Sequence, residues 1–479
     1  MLVTWANGTV TGRTLGATSR TSGTNAAAAR ATLTKSVANG GKGWIITDGG
    51  SSNSNCSVST DAFVTKWDLS KTGSAGNNSI SFTATVTGFP AYYTWNTVPA
   101  GTTQSGTIPV GTNMVVSIPN LPANKMIELF IEPASLKQFA MMDNGTNRLR
   151  LVEIKQWGTA NWSSMLNAFS AASNLTISTT DVPNLSGVSN MRGTFQNCAS
   201  LTTIPNVDLW NTSTITDMQS MFYDAKVFNQ SLTTWNIGAV TNMANMFFGA
   251  ATFNGAIGTW NTSKVTDMGR MFFGATAFNQ PLTNWNTGAV THMDYMFSGA
   301  TAFNQPLTNW NTEAVTNMGY MFQNASAFNG AVGAWNTAKV NDMKFMFSSA
   351  KAFNQPLTNW NTANVTNMAY MFSYASAFNG DVGAWNTAYV TDMTGMFSGA
   401  TVFNKPLTNW ATAKVTDMNY LFENAKAFNQ SLSHFKTSSV DDMQSMFAGA
   451  SSFDQDLSTW TLNAGVNLTN FLNNSGLNC

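Results

Sequence analysis

Two imidazoles, His292 and His434, and three thiols, Cys56, Cys198 and Cys479, are all that 479 residues offer of these two reactive side-chain types. They are scattered through the chain, and none lies at the spacing that holds a transition metal. No glycine-rich loop ends in Lys-Ser/Thr to cradle a phosphate, and no nucleophile elbow is present. Asp48-Gly49-Gly50 reads as a turn. The expectation is therefore a protein with no catalytic residue, no metal and no cofactor: not an enzyme. A row of aspartates, Asp217, Asp267, Asp342, Asp392, Asp417 and Asp442, could in principle form an acidic ladder for Ca²⁺. Asn242, Asn317 and Asn367 interrupt it freely, and a hard cation needs six to eight oxygens, so backbone capping is the preferred role.

That row exists because the chain repeats. Trp recurs every 25 residues at 210, 235, 260, 285, 310, 335, 360, 385, 410 and 460, with Phe435 filling the one gap. Met218 to Met443, Phe222 to Phe447, Ala225 to Ala450 and Phe228 to Phe453 keep the same register. One unit cannot bury its own apolar face. Stacked units can, so the spacing implies a solenoid of about twelve turns with Met, Phe, Trp, Leu and Val rows as a continuous core.

With Met318 as position zero of its unit, apolar residues fall at 0, +3, +4 and +7: Met318, Met321, Phe322 and Ala325. This spacing predicts a two-turn helix. The residue before zero is Asp or Asn in nine of ten units and reads as its N-cap; His292 is the exception. Asn329-Gly330, or Gln280-Pro281 in another unit, ends the helix, and a short strand is expected near the Trp. Small residues at +1 and +6, such as Gly269, Gly274 and Gly299, would let neighbouring helices approach. The expected class is an α/β repeat solenoid, leucine-rich-repeat-like, with a short helix and a short strand per 25-residue turn. The Asn of Trp-Asn-Thr (Asn261, Asn286, Asn311, Asn336, Asn361, Asn386) is expected to form a ladder between coils.

Position +2 points away from the core of such a helix, yet it carries Tyr295, Tyr320, Phe345, Tyr370 and, after Gly395, Tyr420. Exposed aromatic rings in register mark a contact surface, so these five are the candidate binding residues. The plainer reading is packing between neighbouring units.

The array has degenerate ends. Met165, Phe169, Ala172 and Leu175, then Met191, Phe195, Cys198 and Leu201, echo the repeat upstream, which places Cys198 at a small core position. Leu468, Phe471 and Leu472 read as a final cap. Three domains are expected. Residues 1–60 are Thr-, Gly- and Ala-rich, with a short helix from Asn25 to Val37 and then Gly43-Trp-Ile-Ile-Thr47. Residues 61–148 form an antiparallel β-sandwich-like domain, with strands at Ser79–Val86, Met114–Ile118 and Lys125–Ile131. Residues 149–479 form the solenoid. Acidic and basic residues balance at 23 each, which argues against nucleic acid as a partner. No apolar run is long enough for a membrane helix. No secretory signal or lipid-anchor cysteine is visible.

The phrase Met-Phe-x-x-Ala-x-x-Phe-Asn-Gln-Pro-Leu-x-x-Trp-Asn-Thr, as in Met296 to Thr312, resembles the repeat of the BspA-like leucine-rich-repeat surface proteins of bacteria. The likeness covers roughly residues 160–479, and the lead-in from Leu151 through Trp157 and Trp162 to Met165 shares it. Members of that family often carry a PKD-like β-sandwich before the array, with a Trp-Gly-Asp-Gly turn; this chain has Trp95-Asn96-Thr97 instead. The resemblance implies adhesion outside the cell, toward a host-surface protein or a glycan. The missing leader and anchor keep a second expectation beside it: a structural or decoration subunit of a phage particle or another extracellular assembly, with other subunits or further copies of itself as partners. Location at the extracellular space or a virus-particle surface follows from either.

Overall fold

The structure is a computed structural model that describes residues 14–17, 45–48, 61–73, 78–142 and 145–477. It divides into two compact units, Met1–Ala62 and Phe63–Cys479. In the first, β1 (Thr14–Ala17) pairs in parallel with β2 (Ile45–Asp48). The helix expected at Asn25–Val37 lies outside the described residues, as do Gly43 and Trp44.

The second unit opens with β3 (Phe63–Asp68), β4 (Ile80–Val86), β5 (Ala91–Val98), β6 (Thr103–Ile108), β7 (Gly111–Ile118), β8 (Met126–Ile131) and β9 (Leu136–Ala140). The three strands expected here are present as β4, β7 and β8. β4 is buried along its whole length because it is the central strand of the sheet β7-β4-β9. The other sheet has the order β11-β10-β3-β8-β5-β6, where β10 is Leu151–Gln156 and β11 is Thr176–Ile177. The last two strands belong to the lead-in of the repeat array, so this sheet runs across residue 148 instead of ending there. Phe169 packs on both Phe139 and Trp157 across the join, and one apolar cluster continues from Phe63 to Phe453.

From there the chain is a stack of 25-residue coils, and the expected α/β architecture is wrong. Among the described residues the helices are two short 3₁₀ turns, Thr146–Leu149 and Val207–Leu209, and from Trp210 onward the regular units contain neither a helix nor a strand of more than one bridge. Each coil is instead a succession of tight turns. Trp310 N–H donates to Leu307 O at 3.2 Å, Val315 to Thr312 at 3.0 Å, Met321 to Met318 at 3.3 Å, Ala325 to Phe322 at 3.0 Å and Phe328 to Ala325 at 3.0 Å. The three-residue spacing of apolar side chains is thus the span of a turn, closed by its own hydrogen bond.

The alternate amides face the next coil. Met318, Tyr320, Phe322 and Asn324 donate to Asp342, Lys344, Met346 and Ser348 at 2.8–3.1 Å. Successive units repeat this ladder, and one parallel bridge per coil links the residues before zero, from Asn190 to Asn467. The ladder wins over a helix because an isolated two-turn helix pays for nucleation with almost no propagation. A ladder satisfies the same amides and adds one set with every coil.

The ladder places positions +2 and +6 in the left-handed region, as at Tyr320 (φ 63°) and Asn324 (φ 58°). Asn and Gly tolerate it, which is why Gly249, Gly274, Gly299, Gly399 and Gly449 share the +6 position. Gly299→Ala separates the two architectures by sign. A Cβ there would find ordinary space, 3.4 Å from Gly274, but φ is +73°. The variant should lose roughly 1–2 kcal/mol to backbone strain; within a helix it would gain about 1 kcal/mol. Chemical denaturation reads the difference.

The core rows are buried as the spacing requires. From Met165 to Phe453 the Met, Phe, Ala, Leu and Val rows are inaccessible and each Trp nearly so, while Trp460, Phe471 and Leu472 of the last coil are only partly covered. Each Trp ring from 210 to 385 stacks on its neighbour in the row. From Trp235 onward the indole N–H reaches a main-chain carbonyl 28 residues earlier, as Trp310 does to Leu282; that of Trp210 is buried without a partner. Where Phe435 replaces the Trp, His434 Nε2 lies 2.9 Å from Leu407 O, the carbonyl an indole at 435 would have met. His434 and Phe435 together substitute for one tryptophan.

Candidate functional site

The residues before zero do cap an orphan amide, but in an Asx turn. Asp342 Oδ1 accepts the Lys344 N–H at 3.0 Å and Asn317 Oδ1 the Gly319 N–H at 2.8 Å. These are the amides that the coil-to-coil ladder leaves over. Among the described residues no group of three or more His, Cys, Asp or Glu side chains is placed to hold a metal ion. The Asn of Trp-Asn-Thr makes the same local turn, as Asn311 does with Glu313 N–H, and forms no ladder. The Thr after it crosses the gap, Thr312 Oγ1 donating to Asn336 O at 2.9 Å. A true Asn ladder runs through the Phe-Asn positions, where each Asn Oδ1 accepts the amide of its successor, as Asn279 does from Asn304 at 2.9 Å.

Asp392, Asp417 and Asp442 occupy three successive coils. Burial and, less strongly, Asp392 and Asp442 push the Asp417 carboxyl above its usual range, against the hydrogen bonds that favour its charged form. A folded pKa above the unfolded one means that the folded state holds the proton longer. Stability then rises as pH falls through the folded value. Asp417→Asn keeps the Asx oxygen and removes the charge, so it should raise the melting temperature at pH 7. The gain should vanish once acid has protonated Asp417 in the parent.

Cys198 is fully buried, and its thiol, pushed far up by burial, donates to Phe169 O. It is a small core residue, as its register implies. Cys56 and Cys479 lie outside the described residues.

The five aromatic residues at +2 do lie outside the core, though for a different reason than a helical angle. Each is left-handed, with φ of 55–63°, and half-buried. Four of them stack on one another: Tyr295 on Tyr320 at 4.2 Å, Tyr320 on Phe345 at 4.7 Å and Phe345 on Tyr370 at 4.6 Å, with ring planes within 20°. The packing reading of the stripe is therefore part of the fold. Burial, then the Tyr320 neighbour, raises the Tyr295 phenol above its ordinary value, and burial also raises Tyr370. Arg270 lies over the Tyr295 ring at 4.9 Å, and Lys344 sits 5.9 Å from that of Tyr320. Tyr370 leans over Gly395, where a Cβ would fall 2.4 Å from its ring. Tyr420 stands beyond that gap and accepts a hydrogen bond from Gln444 Nε2 at 2.7 Å instead of joining the stack.

Three ladder members are missing from the sequence reading. Tyr223, Phe248 and Phe273, at +5, stack at 4.4 and 4.5 Å and hand over to Tyr295 through a tilted contact at 6.2 Å. Three aromatics in consecutive units, off the apolar positions, were the available signal. The repeat distance of the rings widens across the coil. It is 4.2–4.7 Å in this outer ladder and 6.1–6.5 Å in the regular Trp row. The coils are therefore drawn together most closely on the side that carries the ladder.

No curated protein and no solved structure matches the chain. A family model does, in four overlapping tandem stretches at residues 137–254, 230–330, 305–407 and 379–477, which together take in the coils and the end of the sandwich. The chain belongs to the repeat family described as Mycoplasma protein of unknown function, DUF285.

Proposed function

We propose that this is a non-catalytic recognition protein of the extracellular space or a particle surface, which binds a protein partner along the outer aromatic ladder. The single observation that carries the reading is the geometry of that ladder. The ring faces are spent on one another, so a sugar has no free face to stack on; the edges and phenol groups form the accessible strip. Such a strip gives contact area with little side-chain entropy left to lose, because stacking already holds the rings. It also lies on the tightly spaced side of the array, the side on which curved repeat proteins present their binding surfaces. The resemblance of the repeat to BspA-like surface proteins supports an adhesive role in a solenoid of this kind. The rings at fixed spacing could engage a repetitive partner several times over.

A structural role in a phage particle or similar assembly is the second reading. The coil-to-coil hydrogen bonding, repeated in every coil, favours it, since a stack of this kind makes a stiff spacer. Pull-down by the purified chain from host-cell surface fractions, compared with its tendency to form homo-oligomers or assemblies alone, separates the two. Capture that Tyr→Ser changes in the ladder abolish supports recognition. Capture indifferent to those changes sinks it.

A further inference from the structure

Position +1 reads Gln219, Ala244, Gly269 and Asp294 in four successive coils. Two small residues between two long polar ones leave a cleft of about 240 Å³. Its floor is Ala244 and Gly269, both buried. Asn245, Asp267, Arg270 and His292 complete the lining. Two coil steps make the floor ~10 Å long, enough for one six-membered sugar ring.

The lining has a definite chemistry. A Cβ on Gly269 would lie 3.2 Å from Asp267 Oδ1 and 3.3 Å from Asp294 Oδ1, so both carboxylates border the same open floor. Asp267 Oδ1 accepts the Gly269 N–H at 2.9 Å, which fixes that side chain. Asp294 Oδ2 pairs with Arg270 Nη2 at 3.6 Å, and the guanidinium rests on the Tyr295 ring. His292 is the one residue of its row that is neither Asp nor Asn, and its Nδ1 is engaged by Thr291 Oγ1 at 2.9 Å. Two carboxylates against one guanidinium exclude an anionic ligand. A guanidinium already seated at Asp294 opposes a primary ammonium. Hydroxyl groups, which donate and accept at once, match carboxylate, amide, imidazole and guanidinium set side by side; two adjacent hydroxyls can share one carboxylate.

We infer that this cleft binds one neutral pyranose of a glycan. The cleft adjoins the aromatic ladder where Arg270 rests on Tyr295, but no ladder residue lines it and the inference does not depend on the ladder's role. The test is saturation-transfer NMR and titration of the full chain at pH 7 with the methyl glycosides of glucose, galactose, mannose and N-acetylglucosamine. At least one should bind, with affinity at least tenfold weaker in Gly269→Asn, which fills the floor at a φ outside the left-handed region, and in Asp294→Asn. Lys436→Ala, exposed and far along the stack, should bind as the parent does. Should Gly269→Asn fail to fold, Ala244→Gln closes the same cleft from the neighbouring coil. No transfer from any of the four glycosides overturns the inference, as does equal binding by the filled variants or preference for n-butylammonium over every glycoside. Tyr320→Ser leaves the cleft lining in place, so loss of protein capture in that variant with sugar binding kept, or the reverse, assigns a failure to one proposal alone.

Discussion

Phe322→Ala should cost the coils around it roughly 3–5 kcal/mol, the range for removing a large aromatic from a packed core. The ring is fully buried and packs face to face on Phe328 of its own coil at 3.9 Å. It stacks on Phe297 and Phe347 of the neighbours at 5.6 and 5.5 Å and lies 6.1 Å from Trp335. Truncation leaves a void bordered by three coils, and stiff rings on every side cannot collapse into it. The backbone ladder adds a second consequence. Phe322 N–H donates to Met346 O, so a disordered coil deprives its neighbour of pairing as well as packing. Because each coil touches only the next, the loss should fade within a few units. Hydrogen exchange resolved along the chain should show protection lost near residues 297–347 and kept near 175 and 425. Uniform loss across the array would contradict nearest-neighbour stacking.

The combined change of Tyr295, Tyr320 and Tyr370 to Ser should abolish partner binding while the chain still folds. Serine is at home in this backbone: Ser220 and Ser445 occupy the same position with φ of 55° and 54°. Each stacked pair removed costs about 0.5–1.5 kcal/mol, spread along the surface, and no buried row is touched. Binding should respond more steeply, since contacts along a rigid strip reinforce one another through effective concentration. Single Tyr→Ser variants should weaken capture measurably, and the triple variant far more than any one. Circular dichroism and capture by the immobilised partner, measured together, decide the matter. A triple variant that unfolds makes the ladder a structural element only. One that folds and binds like the parent moves recognition to another surface.

Much of the molecule was legible in one dimension. A 25-residue period is linear information, so the register, the buried rows and the small-core place of Cys198 followed from counting; the +2 aromatics lie off those rows, but not by the helical angle from which that was expected. The strands at Ile80–Val86 and Met126–Ile131 followed from their composition. The local conformation did not follow, because apolar residues at 0, +3, +4 and +7 suit a helical face and a chain of four-residue turns equally well. An Asp or Asn before zero caps the amide two residues on in either case. The one discriminating signal was the Gly and Asn at +6, which a helix has no use for and a left-handed turn requires. Only tertiary structure chose between them: the alternate amides that a helix would turn inward upon itself find carbonyls on the next coil, 24 residues away. The same stacking brings Tyr295, Tyr320, Phe345 and Tyr370 face to face, joins Tyr223, Phe248 and Phe273 to them, and opens a cleft between Gln219 and Asp294. None of these belongs to a single unit, since each is a property of the contact between one coil and the next.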